Sequence, residues 1–418
     1  LDAYGQGRAS LRDRSFVDVA FLGFAPTNGV AALKQTPTIS NLAAYHSHGQ
    51  SSVMFNKASY RIELRNSDGT DRDCELFDRS READFVLIGP HADKTLIHNP
   101  FVYSLGRDMG LLAPKLSMIE VFLNLDEKPL THTDYSGVYQ LVETFKIKKS
   151  RIPLAKLLPT DTTEPDISGG YLFKLEWQAA EPPTIACKGA AETCWSDLEL
   201  VEPEAPNSAQ LAYLGNYLQA FNAAIHSAAP ADPVSGYPAY IDVASFVDHV
   251  IINEFTRNLD AYVRSQYFHK DRGKKIVAGP LWDFDLIAGV GMKPDFSWGA
   301  TYPNLDAAGW QYEVNVPRMT SDWFKILIAD PAFHTQLVAR WKSLRQGLLS
   351  DQSIQTRIQT LAKGLENAAT RNFLRWPILT QEMVMPMATP TAPSWPEQLE
   401  YMHKWLTERA AWLDTQWN

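Results

Sequence analysis

The chain has 418 residues, 45% of them hydrophobic and 21% charged, which suits one large or two smaller globular domains and excludes a disordered chain. A formal net charge of −9 argues against general nucleic-acid binding, which needs a basic footprint. No apolar run approaches the roughly eighteen residues that a membrane-spanning helix requires.

The opening "LDAYGQG" carries neither an initiator Met nor a signal peptide, and the expectation is a mature or trimmed fragment. Residues 15–24, "SFVDVAFLGF", read as a β-strand. "YRIELR" at 60–65 alternates strictly and reads as a second, followed by a turn at Asn66–Gly69. "FVLIGP" at 85–90 is a third. Residues 95–110 read as a helix that Gly110 terminates as its C-cap. "SMIEVFLNL" at 117–125 and "GVYQLVETF" at 137–145 pair as strands across a polar loop, and "GGYLFKLEW" at 169–177 adds another.

Beyond about 178 the composition changes. Residues 179–204, rich in Pro, Ala and Glu, read as a surface insertion or linker. Leu211, Leu214, Leu218, Phe221 and Ile225 then recur at helical spacing, and Phe246, Val250 and Ile251 follow an N-cap at Asp242. Residues 262–288 return to β-structure. Residues 351–375 and 396–416 are helical, the latter with a core-facing stripe of Leu399, Met402, Leu406, Ala410 and Leu413. The expectation is an α+β fold of two lobes, a β-rich one over 1–178 and a mainly helical one over 205–418.

"GPLWDFDLIAGV" at 279–290 sets Asp283 and Asp285 two apart among apolar residues. Carboxylates are costly to bury unless something cationic pairs them. The segment is therefore either a strand whose acids face solvent, with Trp282 and Phe284 inward, or a site that holds a cation. Asp260 lies in the turn after a helix, and a hairpin separates it from Asp283. Phosphoryl transfer uses that order: one Asp orients the acceptor hydroxyl and the next binds the metal that bridges the phosphates. Cations on the phosphates would come from Lys57 or Lys174.

Other constellations are poorer. His46 and His48 share a strand face without a third metal ligand nearby. Zinc-protease, α/β-hydrolase, Rossmann and Walker signatures are absent from the sequence. The Trp residues at 177, 282, 376, 405 and 412 read as core rather than as a carbohydrate platform. Cys187 and Cys194, flanking "KGAAET", could bridge in an oxidising compartment or stand as unrelated thiols, and Cys74 stands alone.

Five segments in order carry a resemblance. "HGQSSVMFNKASYRIEL", "YSGVYQLVETFKI", "GGYLFKLEW", "GPLWDFDLIAG" and "NFLRW" (372–376) are similar to segments of the CotH (spore-coat protein H) kinase family. That resemblance implies an atypical protein-kinase-like fold. It also implies transfer of the ATP γ-phosphate to Ser or Thr of a protein, with Mg²⁺ or Mn²⁺, in secreted, cell-surface or periplasmic settings. Carried over by position, Asp260 takes the catalytic-loop role and Asp283 the metal-binding role, with Asp285 sharing the metal. Gly49, Ser51 and Ser52 fall in the phosphate loop. Lys57 falls where the phosphate-contacting lysine is wanted and Glu143 where that lysine's carboxylate partner is, with Lys174 the rival lysine. The chain departs from the family pattern at Gln266, an amide in place of Asn as a metal ligand, and at His48 in place of Arg. These departures leave a catalytically inactive binding or structural module as the alternative. The acidic balance points to a basic, Ser-bearing protein substrate.

Overall fold

The computed structural model describes residues 1–10, 14–50, 52–77, 81–292 and 305–418. It is an α+β protein. The principal strands are β1 (Val17–Gly23), β2 (Ile39–His48), β3 (Ser59–Arg65), β4 (Asp84–Ile88), β5 (Leu116–Phe122), β6 (Tyr135–Glu143), β7 (Tyr171–Leu175), β8 (Leu198–Glu202), β9 (Gln266–Lys270) and β10 (Ile276–Ala278). The helices are α1 (His98–Met109), α2 (Ser208–Ile225), α3 (Val243–Thr256), α4 (Gln311–Asn315), α5 (Trp323–Ala329), α6 (Pro331–Arg345), α7 (Asp351–Ala362), α8 (Glu366–Arg375) and α9 (Trp395–Gln416).

Two compact units emerge: Leu1–Leu96 with Pro114–Phe145 and Ala362–Gln398, and Ile97–Ala113 with Lys146–Leu361 and Leu399–Asn418. Their boundaries cross the sequence-based division at 178. Residues 97–113 and 146–178 belong with the second unit, and 362–398 with the first.

The first unit is built on an antiparallel sheet in the order β1-β2-β3-β4-β6-β5. Alternation explains its inner face: Tyr60, Ile62 and Leu64 of β3 are buried, while Arg61, Glu63 and Arg65 are half-buried on the other side. Arg61 meets Asp84 of β4 at 2.8 Å there. Residues 1–3 lie along both edges of the sheet, Asp2 bridging to Ala20 of β1 and to Asn124 just after β5. They thereby satisfy edge groups that would otherwise invite pairing. Ala3, Phe21, Tyr45, Ile62, Phe85 and Leu141 are among the side chains of the core that this curled sheet encloses. Burying each large one contributes roughly 1.5–3 kcal/mol before conformational entropy is subtracted. β6 is buried on nearly every residue because α8 packs against it.

The second unit carries an antiparallel sheet in the order β10-β9-β7-β8. Asp242 caps α3 by accepting from Ser245 N at 2.9 Å, and Gly110 ends α1 in the left-handed region at φ +98°, both as the sequence suggests. Gly106 is required for close approach, since a Cβ there would lie 2.3 Å from Leu281 Cδ1. Met402, Leu406, Ala410 and Leu413 of α9 are fully buried, as their spacing predicts.

Two expectations need correcting. Residues 179–204 are not a plain linker, because β8 pairs with β7 and a Cys187–Cys194 disulfide, with Cα atoms 5.6 Å apart, closes the preceding loop. Residues 279–290 are not a strand. The N–H groups of Leu281, Asp283 and Phe284 find partners on and just after α1 instead. Of the five Trp residues expected in the core, Trp405 is buried and the other four are half-buried.

Candidate active site

The acids converge in the second unit. α3 ends where Arg257 turns left-handed at φ +50°. Asn258 Nδ2 donates to Asn253 Oδ1 at 3.1 Å, and Asn258 Oδ1 accepts from Asp260 N at 3.2 Å. The Asp260 carbonyl accepts from the N–H groups of Val263 and Arg264 at 3.1 and 3.2 Å. Asp260 therefore sits in a rigid turn. Its carboxylate faces Arg264 Nε at 3.9 Å and Arg318 Nη1 at 3.8 Å, long contacts that orient without clamping. Both guanidinium groups lie over Trp177, 5.6 and 5.8 Å from the ring centre.

Ser265, left-handed at φ +54°, links the turn to the second acid. Its N–H donates to Glu176 Oε2 at 3.3 Å and its hydroxyl to Asp283 Oδ2 at 3.2 Å. Asp283 is itself left-handed, φ +64°, a conformation that a strand would not allow. One face of α1 holds the segment in that shape. Asp283 N donates to the Tyr103 hydroxyl at 3.2 Å and Phe284 N to Asn99 Oδ1 at 2.8 Å, while His98 Nδ1 lies 2.8 Å from the Asp285 carbonyl. Leu281 N donates to Leu112 O at 2.8 Å.

Burial raises the Asp283 carboxyl above the usual carboxylate range, and the charge of Asp260 adds to it. Hydrogen bonds from Ser265 and with Asp285, and the positive charge of Arg264, offset part of that rise. Mutually repelling carboxyl oxygens are the hard donors that a divalent cation takes. Among the described residues no group of three His, Cys, Asp or Glu side chains gathers into a ready-made cage.

Gln266 is turned away from that role. It is buried, its Oε1 2.7 Å from His249 Nε2 and its Nε2 donating to Arg264 O at 2.7 Å. Burial lowers His249 to about 4, so the ring is neutral at physiological pH, and an Nε2–H tautomer would donate to Gln266. Lys174 lies 3.3 Å from both Glu176 Oε2 and Glu199 Oε1. Burial would lower its titration, but Tyr267, Glu176 and Glu199 together raise it. Its charge is already balanced.

In the first unit the predicted turn is present. Gly49 has φ +90°, and Ser52 Oγ donates to His48 O at 3.0 Å across it. Ser51 lies outside the described residues. Lys57 is 1% exposed and donates to Pro90 O at 3.1 Å and Asn372 Oδ1 at 2.8 Å, with Tyr139 beneath it at 5.3 Å. Glu143 is not its partner. The amine reaches β6 near Gly137 and Tyr139, and Glu143 is six residues past Gly137, roughly 20 Å further along the strand. The sequence did not single out Asn372 as that partner, although "NFLRW" contains it.

A family model described as CotH kinase protein matches residues 46–413, nearly the whole chain. The chain belongs to the CotH kinase family, and at family level it is kinase-like. No curated protein matches it.

Proposed function

We propose that this protein transfers the γ-phosphate of ATP to Ser or Thr of a protein substrate, using Mg²⁺ or Mn²⁺. The observation that supports this best is the Asp260–Ser265–Asp283–Asp285 arrangement, in which the Asp283 carboxyl, tied to Ser265, is raised first by burial and then by the charge of Asp260. Asp283, with Asp285 beside it, would hold the divalent cation, which supplies charge neutralisation between these carboxylates and the phosphates. Asp260, on its rigid turn, accepts the hydrogen bond of the incoming hydroxyl and orients the oxygen for attack. Ser265 fixes the rotamer of Asp283, and α1 fixes its backbone. Of the two candidate lysines, Lys57 is favoured as the phosphate-contacting one on chemical grounds, because the charge of Lys174 is already balanced by two carboxylates. Secretion or surface exposure accompanies the reading, supported by the Cys187–Cys194 disulfide, since such bonds persist in oxidising compartments.

The test is paired. Asp260→Asn should keep Mg–ATP affinity in calorimetry while lowering phosphate transfer to a basic protein by about 10²–10⁴-fold. Asp283→Ala should lose metal-dependent nucleotide binding as well as transfer. If Asp283→Ala binds Mg–ATP as tightly as wild type does, these acids are not a metal site.

A further inference from the structure

Three of the segments that carry the family resemblance meet inside the first unit. Lys57 leads into β3, Gly137 lies on β6, and Asn372 and Trp376 begin and end "NFLRW". Gly137 has φ +106°, and a Cβ on it would lie 2.6 Å from Asn372 Oδ1, 3.0 Å from Trp376 Nε1 and 3.3 Å from Lys57 Cε. Only glycine lets these groups approach so closely.

Asn372 is 1% exposed, and its Oδ1 accepts from Val138 N at 3.1 Å as well as from Lys57. A backbone N–H can only donate, so this bond fixes which end of the amide faces the lysine. Among the described residues Lys57 thus contacts two neutral oxygens and a ring, where a buried ammonium ordinarily contacts a carboxylate. The charge of Asp93 favours the protonated form of Lys57, with Asp93 Oδ1 accepting from Thr95 N, Thr95 Oγ1 and Leu96 N. His91, edge-on to Trp376, is lowered to about 4 by burial and then by Lys57, and is neutral. Tyr139 of β6 lies beneath the amine, with Tyr60 of β3 stacked on it, and Arg375 of α8 lies on Trp376.

We propose that Asn372 is the positioning residue of the phosphate-facing lysine: a neutral amide where a carboxylate is expected, it aims the Lys57 amine and leaves its charge to be balanced by an anionic ligand. The identity of that anion as the phosphates of ATP rests on the kinase reading; the positioning rests on the geometry. Because burial lowers Lys57 to about 7, the amine is largely neutral above that pH until an anion arrives. Ligand binding is then coupled to proton uptake.

Calorimetry of Mg–ATP binding at about pH 8, in buffers of different ionisation enthalpy, reads that uptake directly. Wild type should take up about one proton per nucleotide. Asn372→Asp, nearly isosteric, gives Lys57 a built-in counter-charge. Its uptake should fall towards zero and its affinity by about tenfold or more. Unchanged affinity and uptake in Asn372→Asp would overturn the proposal, and so would absent uptake in wild type. If wild type binds no Mg–ATP, the kinase reading fails and the positioning role is read in the free protein by ¹³Cε NMR titration. Lys57 should titrate near neutrality in wild type and higher in Asn372→Asp; titration of the wild-type lysine at its ordinary value would overturn the role itself.

Discussion

Lys174 in the second unit, half-buried, and Lys57 in the first, fully buried, both lie beside a β-sheet, yet Lys174 stands 3.3 Å from Glu176 and Glu199, while Lys57 contacts a backbone carbonyl, an amide oxygen and an aromatic face. Their titration moves in opposite directions as a result, raised for Lys174 and lowered to about 7 for Lys57. Burial alone does not mark a functional lysine. What marks it is burial without a carboxylate in contact, because that cost is relieved when an anionic ligand binds.

The largest expected effect is on the pH dependence of stability. An unfolded chain holds its lysine protons to about pH 10.4. Folded Lys57 releases its proton near 7. Between those values the unfolded state binds more protons, so stability rises with pH; below 7 both states are protonated and the full penalty remains. At about 1.4 kcal/mol per unit, the gain from pH 7 to 10 is roughly 4 kcal/mol. Lys57→Met should flatten that slope in denaturant titrations, leaving the smaller rises from Lys94, which burial lowers to about 8, from the Leu1 amine, lowered to about 6, and from Lys270, also lowered by burial. An unchanged slope in Lys57→Met would remove the contrast between the two lysines.

Lys174→Met should behave otherwise. It strands two largely buried carboxylates, and breaking a buried pair costs about 3–5 kcal/mol, reduced here by the partial exposure of all three side chains. Chemical denaturation should show a loss at pH 7 that shrinks as the stranded carboxyls are protonated at lower pH. A Lys174→Met protein as stable as wild type, but unable to bind Mg–ATP, would reverse the two assignments.

The smallest effect concerns the acids. A carboxyl raised by burial and by Asp260 must lose its proton before it binds a cation. Mn²⁺ affinity should therefore fall with decreasing pH, by at most about tenfold per unit below the Asp283 titration. Asp260→Asn removes the neighbouring charge and should move that fall to lower pH. Paramagnetic broadening by Mn²⁺ across pH checks both.

The sequence by itself determined most of the elements. Alternation in "YRIELR", the cap at Asp242, Gly110 and the stripe of α9 are local signals, and local sterics and periodicity carry them into the structure. Motif order also sufficed for the family and for the grouping of Asp260 with Asp283, since both flank one hairpin. Only the tertiary structure decided how the acids are held. Residues 279–290 alternate like a strand, but Tyr103 and Asn99 offer acceptors that draw the backbone of Asp283 and Phe284 out of any sheet. Tertiary packing likewise moved Gln266 onto His249, balanced Lys174 with Glu199, 25 residues further along, and gave Lys57 a partner 315 residues away. Hydrogen-bond partners and counter-ions depend on distances in space, and no spacing along the chain encodes an approach that glycine at 137 permits and α8 completes.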